Sequence, residues 1–206
     1  MLKIWGRISS LNVRKVMLVA QELGLPFERV DAGGAFGIVK TSDYLAKNPN
    51  GLVPVVEDDQ VLLWESNVVV RYLCARHSPD ALYPLALPAR FDAERWMDWQ
   101  QTTLNPAGRA AFVQWIRTAA DKRDHAAIAQ SVAATEPLLA MLDQHLARQP
   151  FLAGDHLTMA DFPVACDVHR FVNLPQPRTA YPHLDRWYEA MLARPAIRGV
   201  LDIPLT

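Results

Sequence analysis

The chain has 206 residues, of which 50% are hydrophobic and 21% are charged, a composition typical of a globular protein with a sizeable core and not of a disordered chain. Its formal net charge of -1 gives no electrostatic reason to expect a nucleic acid or an anionic membrane as a partner. No apolar run approaches the ~18 residues of a membrane-spanning helix, and the N-terminal residues lack the pattern of a signal peptide.

Short strand-like runs alternate with helical ones in the first 78 residues. The predicted elements are, in order, strand 2–5, helix 13–23, strand 27–30, helix 42–47, a hairpin of 53–56 with 61–64, and helix 66–77. This β-α-β-α-β-β-α order predicts a four-stranded mixed sheet covered by helices.

A proline-punctuated linker, residues 79–87, separates a predicted first domain (1–78) from a predicted second domain (88–206). Beyond the linker the apolar periodicity is helical, and no strand pattern is present. Three amphipathic patterns carry this prediction: Phe91, Trp96 and Trp99; Ile128, Val132, Leu138, Leu139, Leu142 and Leu146, with a bend at Pro137; and Leu184, Trp187, Tyr188, Met191 and Leu192. The second domain is predicted to be an all-α helical bundle.

The stretch GDHLTMADF in the helical half has the pattern of a helix start. Thr158 is predicted to be the N-cap, with Asp161 reaching back to it as a variant capping box. Leu157 and Phe162 are then placed to pack against each other around the cap. Breaking this cap is expected to cost ~1 kcal/mol or more of stability.

Cysteine and histidine usage argues against disulfide and metal chemistry. Cys74 and Cys166 lie far apart in the sequence, and the six histidines are scattered without a metal-ligand spacing. The sequence therefore predicts a reduced, cytoplasmic protein without structural disulfides and without a metal site.

Pro54 is out of place in the stretch NPNGLVPVVED. It lies one residue into a run of valines that otherwise has the pattern of a buried strand. Since proline cannot donate to a β-ladder, it is confined to the edges, first residues and bulges of sheets. Something other than a protein strand is expected to meet the chain at this point.

The stretch GRISSLNVRKV places Ser9, Ser10 and Asn12 between a predicted strand and a predicted helix. Any of the three could simply cap the helix, which is the favoured interpretation from these residues alone. The functional alternative is that one hydroxyl faces a ligand at the positive end of the helix. No GxSxG motif is present, so a nucleophilic serine is not expected. Ser66, which follows Glu65, could likewise start a helix or bind a carboxylate there.

In combination, the motifs SSLNVRKV, NPNGLVPVVED, LWESNVVVRYL and GDHLTMADF resemble the cytosolic glutathione S-transferase family over essentially the whole chain. The similarity is to serine-type members, akin to the theta and phi classes and their bacterial relatives. It implies an α/β thioredoxin-like N-terminal domain with a mixed four-stranded sheet, followed by an all-α helical-bundle domain.

The resemblance also implies how glutathione would bind. A proline matching Pro54 is cis in the family, and the residue before it, here Val53, pairs its backbone with the cysteinyl unit of glutathione. Ser66 would hold the γ-glutamyl carboxylate, with Glu65 near the ammonium group. Lys40 matches a basic position that contacts the glycyl carboxylate.

Ser10 matches the serine that donates a hydrogen bond to the glutathione sulfur, and Asn12 is close enough to assist or substitute. Because Ser9 is adjacent, the register of this contact stays open among the three residues. Leu52 stands where many relatives carry Gln or Lys, so one side-chain contact to the peptide is missing. The electrophile pocket is expected between the domains. Its candidate residues are Ile8, Phe36, Trp99, Thr103 and Trp115, although plain core packing is the favoured interpretation for Trp96 and Trp99.

The resemblance therefore predicts a glutathione transferase that attacks a small hydrophobic electrophile with the glutathione thiolate. Glutathione would be a co-substrate, no further cofactor is expected, and a homodimer that serves detoxification is implied. Alternatives on the same scaffold are a glutathione-dependent dehalogenase, lyase, isomerase or peroxidase. A non-catalytic binding protein, or a stress-response partner of another protein, is a further alternative.

Overall fold

The computed structural model describes residues 1–59 and 61–206, and within them the first half of the chain forms one four-stranded sheet. Its strands are β1 (Leu2–Trp5), β2 (Phe27–Val30), β3 (Val55–Asp58) and β4 (Val61–Trp64). They lie in the order β2-β1-β3-β4, with β1 parallel to β2 and antiparallel to β3. β3 and β4 pair as the predicted antiparallel hairpin. The mixed-sheet prediction is confirmed.

Three helices accompany the sheet: α1 (Leu11–Glu22), α2 (Ser42–Lys47) and α3 (Ser66–His77). α1 crosses from β1 to β2 and is buried without interruption from Val13 to Ala20. This helix is therefore surrounded by the rest of the protein, and that packing holds its N-terminus in place.

Some boundaries differ from the sequence prediction: α1 spans Leu11–Glu22 and not 13–23, and β3 spans Val55–Asp58 and not 53–56. β3 begins at Val55 and not at Val53, because Pro54 has no N–H to donate to the ladder. The peptide bond between Val53 and Pro54 is cis. Val53 lies outside the sheet, just before the N-terminal end of β3, which is an inner strand.

The second half of the chain is helical, as predicted. Its helices are α4 (Leu87–Trp99), α5 (Asn105–Phe112), α6 (His125–Leu146), α7 (Asp161–Val172) and α8 (Pro182–Leu192). π-helical turns at Gln100–Leu104 and Val113–Arg117 continue α4 and α5. Such π turns are frequent at functional sites. None of the helices described is long and apolar enough to cross a membrane.

A single contiguous hydrophobic core joins the two halves. It includes Ile4 and Val16 from the first half and Met97, Leu139 and Trp187 from the second. Lys15 on α1, which is fully buried, adds polar contacts. Its ammonium group donates to side-chain oxygens of Asn67 at 3.2 Å, Gln100 at 2.8 Å and Gln101 at 2.9 Å.

The start of α7 confirms part of the predicted capping motif. Asp161 accepts a hydrogen bond from the Thr158 N–H at 2.9 Å, so the carboxylate does reach back. It also accepts from the N–H of Leu152 at 3.0 Å and from Trp187 Nε1 at 2.9 Å. The helix itself begins at Asp161, so Ala160, and not Thr158, occupies the N-cap position. The buried carboxylate, and not the threonine, organises this corner.

Candidate active site

The loop before Pro54 is held by two side chains from α2 and its C-terminal cap. Tyr44 Oη and Asn48 Nδ2 both donate to the carbonyl oxygen of Leu52 at 2.9 Å. Asn48 is buried, and its Oδ1 accepts from the N–H of Asn50 at 3.0 Å. The loop thus presents Val53 in a fixed position. Sequence reasoning missed Tyr44 and Asn48, although the NPNG turn signal pointed to the loop.

Val53 has a main chain that is available to a ligand. It precedes β3, and among the residues described no other main-chain or side-chain group bonds to its N–H or C=O. An extended peptide could therefore pair with it as a further strand would.

The N-terminus of α3 faces the same space. Ser66, the first residue of the helix, is only 3% exposed, and the amide groups of a first helical turn have no partners within the helix. Glu65 before it has φ +70°, a left-handed conformation that is costly for a residue other than glycine and concentrates at functional sites. This helix end is suited to a carboxylate.

A cavity of about 120 Å³ brings these groups together. Its lining comprises Asn12, Asn48, Asn50, Leu52, Val53, Pro54, Glu65, Ser66 and Gln101. Six of the sequence candidates are therefore neighbours in space. Lys40 does not line this cavity. Its ammonium group lies against Gly51, since a Cβ atom placed on Gly51 would be only 2.8 Å from Lys40 Nζ.

The N-terminus of α1 supplies the next group of candidates. Ser10 is the N-cap residue by position, yet its side chain makes no capping hydrogen bond. The Ser10 side chain therefore does not cap the helix. Its carbonyl oxygen, and not its hydroxyl, accepts hydrogen bonds from the N–H groups of Val13 and Arg14 at 3.0 Å. Asn12 has a buried Oδ1 without a partner in the described protein. Ser9 lines a separate cavity of about 20 Å³.

A larger cleft of about 370 Å³ opens beside the small cavity, between the sheet half and the helical half. Its lining comprises Arg7, Ser10, Leu11, Asn12, Leu52, Val53, Gln101, Asn105, Arg109, Phe112, Val113, Arg117 and Arg170. Asn12, Leu52, Val53 and Gln101 line both spaces, so a ligand can extend from one into the other.

The five predicted electrophile-pocket residues are not among the described residues that line this cleft. Ile8 and Trp99 pack against the main core, and Trp115 donates to Gln176 Oε1 at 3.1 Å. Phe36 is 53% exposed, and Thr103 is also exposed. Helical periodicity alone does not show which face of α4 and α5 is turned toward the sheet, and the π turn at Gln100–Leu104 adds to this uncertainty because it shifts the register.

Neither cysteine is among the residues that line the small cavity or the larger cleft. Cys74 and Cys166 are free and buried, and burial raises the pKa of each thiol to about 12. Burial thus disfavours the thiolate form of both side chains.

Comparison with known proteins agrees with this geometry. Residues 6–81 match the glutathione S-transferase N-terminal domain family, and residues 126–190 match the glutathione S-transferase C-terminal domain family. The chain is 41% identical to glutathione S-transferase GstB of Escherichia coli K12, with 100% of both chains covered. It is 34% identical to glutathione S-transferase 3 of Zea mays, over 99% of this chain and 95% of that one.

A solved structure is similarly close. The theta class glutathione S-transferase of Xanthomonas axonopodis pv. citri, crystallised with glutathione bound, superposes with a TM-score of 0.96. Its sequence is 41% identical, and the match covers 100% of this chain and 99% of that chain. The chain belongs to the glutathione S-transferase family.

Proposed function

We propose that this glutathione S-transferase binds glutathione along Val53 and at the N-terminus of α3, and that it activates the glutathione sulfur at Ser10. The observation that carries the proposal is the small cavity, in which the unpaired main chain of Val53 and the start of α3 at Ser66 share one space. A peptide with a free carboxylate fits both features, since the peptide backbone pairs with Val53 and the carboxylate meets Ser66.

The remaining contacts follow from charge. Glu65 is placed beside Ser66, where it would meet the ammonium group of the same γ-glutamyl unit. Lys40, whose ammonium group lies against Gly51 in the loop before Val53, would bind the glycyl carboxylate. Leu52 has a 63% exposed side chain that offers the peptide apolar contact only.

Ser10 and Asn12 line the cleft into which the sulfur would point. A free thiol has a pKa of ~8.5, and lowering it by about 2 units takes ~2.7 kcal/mol of preferential thiolate stabilisation. A hydrogen bond from a hydroxyl to a charged sulfur contributes ~1.5–3 kcal/mol, and the field at the start of α1 adds to it. Ser10 acts as a donor and not as a base, because its hydroxyl is far too weak an acid–base group.

We further propose a cytoplasmic homodimer that serves detoxification. Four large apolar side chains on β4, α3 and α4 are exposed and available for an interface: Leu62, Trp64, Val68 and Phe91. A dimer that buried these side chains would remove their apolar surface from water.

Calorimetric titration of glutathione into the wild-type protein and into Ser66→Ala tests the proposed peptide site. We expect the substitution to weaken binding by ~1–3 kcal/mol, because it removes a donor from a charged carboxylate. Ser42→Ala is the matched control, since Ser42 is also the first residue of a helix but is exposed. Equal affinity of wild type and Ser66→Ala would remove Ser66 from the site.

A further inference from the structure

The large cleft is lined by four arginines and by no acidic residue of the described chain. Arg7 comes from the loop after β1, Arg109 and Arg117 from α5 and the π turn after it, and Arg170 from α7. The whole chain has 22 Asp and Glu residues against 21 Lys and Arg, so its net charge does not explain this local excess. Positive charge is concentrated where the reaction would take place.

Among the residues that the structure describes, only one of the four arginines pairs with a neighbouring carboxylate. Arg170 is buried, lies 2.6 Å from Asp167 Oδ1, and donates to Asn105 Oδ1 at 3.1 Å. The ion pairs between described residues involve neither Arg7 nor Arg109 nor Arg117. Three guanidinium groups around the cleft are thus left for a ligand.

These cations also disfavour one another. The Arg117 guanidinium lies over the Phe112 ring at 4.8 Å, a position that removes part of its water. That burial, and then the charges of Arg7, Arg109 and Arg170, lower the pKa of Arg117 below its ordinary value. An anion in the cleft would relieve this repulsion.

We infer that the electrophile of this enzyme carries a carboxylate, which Arg109 and Arg117 bind while its carbon skeleton lies on Leu11, Phe112 and Val113. The inference rests on the proposed function and defines the substrate class. A planar guanidinium matches the two oxygens of a carboxylate, and such charge-assisted pairs are among the stronger hydrogen bonds. The apolar residues of the same cleft accommodate the part of the substrate that bears the leaving group.

Glutathione does not account for these arginines by itself. In the proposed binding mode its two carboxylates lie at Ser66 and near Lys40, outside the arginine cluster. Its thiolate would gain from the positive field, but a single sulfur at Ser10 does not require two cations from the opposite, helical wall of the cleft. A carboxylate on the second substrate would account for these two arginines.

The chemical step is a substitution that needs no further reagent. The thiol proton passes to solvent, and the thiolate sulfur attacks the benzylic carbon of a substrate such as para-(chloromethyl)benzoate. The sulfur–carbon bond forms as the carbon–chlorine bond breaks, and chloride leaves with the bonding pair. The product is the thioether S-(para-carboxybenzyl)glutathione, whose carboxylate stays on the arginines.

Binding of two thioether products tests the inference without requiring turnover. Titration calorimetry would compare S-(para-carboxybenzyl)glutathione with its carboxamide analogue and with glutathione itself. The two thioethers differ at one group only, a carboxylate or a neutral carboxamide of nearly the same size, and neither contains a thiolate, so any preference reports on that group. We expect the carboxylate product to bind at least ~10-fold more tightly, the lower end of a charge-assisted hydrogen bond, and to lose this preference at high salt.

Arginine variants locate the preference. In an Arg109→Gln, Arg117→Gln double variant the two products should bind within about threefold of each other, with glutathione affinity retained. Arg148→Gln, a change of an exposed arginine outside the cleft, should keep the wild-type preference.

Equal affinity of the two products in the wild type, with glutathione binding intact, would overturn the inference and leave the proposed function standing. A carboxylate preference that persists in the double variant would overturn the assignment to Arg109 and Arg117. Failure of the wild type to bind glutathione or either product would overturn the proposed function and this inference with it.

Discussion

The role of Ser10 depends on which of its groups is engaged in the fold. Its carbonyl accepts the first hydrogen bonds of α1, whereas its hydroxyl makes no capping bond and lines the cleft. A hydroxyl that does no structural work can be removed without destabilising the helix. Function and stability are therefore separable at this residue.

Ser10→Ala is expected to raise the pKa of bound glutathione toward ~8.5, the value of a free thiol. Turnover near neutral pH should fall substantially and recover in part as the pH rises, because hydroxide then ionises the thiol. Glutathione affinity should change little, since the carboxylates are bound elsewhere. An ultraviolet titration of the thiolate in the binary complex measures the pKa directly.

Ser9→Ala is the control for this experiment, because Ser9 is adjacent to Ser10 in the chain but lines a different cavity. An unmoved thiolate pKa in Ser10→Ala would exclude the donor role, and Asn12, with its unpartnered Oδ1, would be tested next. A large loss of thermal stability in Ser10→Ala would instead favour the capping interpretation.

At the scale of elements, α7 is anchored at its first residue. Asp161 is fully buried and joins the start of α7 to Leu152 and to Trp187 of α8. The Asp161 carboxylate accepts hydrogen bonds from three buried N–H groups. Removing the carboxylate leaves these donors unpaired in the core. The anchor is more important than an ordinary helix cap.

We expect Asp161→Ala to lower the free energy of unfolding by ~3 kcal/mol or more, because each orphaned buried donor costs ~1–3 kcal/mol. Urea denaturation followed by circular dichroism measures this change. Asp155→Ala, at an exposed position a few residues upstream, should have almost no effect. A cost near 1 kcal/mol for Asp161→Ala would reduce the residue to a simple cap.

The contact between α7 and α8 predicts a dependence of stability on pH. His169 is buried, with its Nδ1 2.7 Å from Tyr188 Oη, and burial followed by the charge of Arg14 lowers its pKa from 6.5 to about 4. Between these two values the unfolded chain binds a proton that the folded protein does not. The contribution of His169 to the free energy of unfolding is therefore fully present above pH 6.5, and it is lost as the pH falls toward 4.

His169→Gln should flatten this part of the profile, and urea midpoints measured from pH 7.5 to pH 4.5 would show it. The exposed His156 offers the matched control, since His156→Gln should retain the wild-type slope. Identical slopes in wild type and His169→Gln would show that His169 is not the responsible group.

At the scale of the whole molecule, the two halves share one core. The contiguous hydrophobic cluster and the fully buried Lys15 connect α1 and α3 of the sheet half to the helical half. Two predicted domains with this much common core are expected to unfold together.

Leu139→Ala on α6 tests this coupling, because Leu139 is fully buried in the helical half. The substitution should cost ~2–5 kcal/mol and shift the unfolding transitions of both halves to the same lower midpoint. In a Trp5→Phe, Trp64→Phe variant all remaining tryptophans lie in the helical half, so its fluorescence follows that half, and circular dichroism follows the whole protein. Met141→Ala, at a position 40% exposed on the same helix, is the control, and two separate transitions would contradict a shared core.

The sequence by itself determined the order and type of the elements and named six of the nine residues that line the small cavity. Apolar periodicity predicts strands and helices without any knowledge of what they pack against. Pro54 and the start of α3 at Ser66 are likewise visible in short local motifs. The boundaries of 1–78 and 88–206 for the domains stay a prediction.

Only the tertiary structure decided the lining of the cleft. The predicted Trp99 and Trp115 turned toward core and surface contacts, while Arg109, Phe112 and Arg117 came to face Ser10. The rotation of a helix about its axis depends on packing and, here, on two π turns that shift the register of its faces. The four arginines of the cleft come from a loop, from α5 with its π turn and from α7, and no motif in the sequence links them, so their common positive charge appears only in the folded protein.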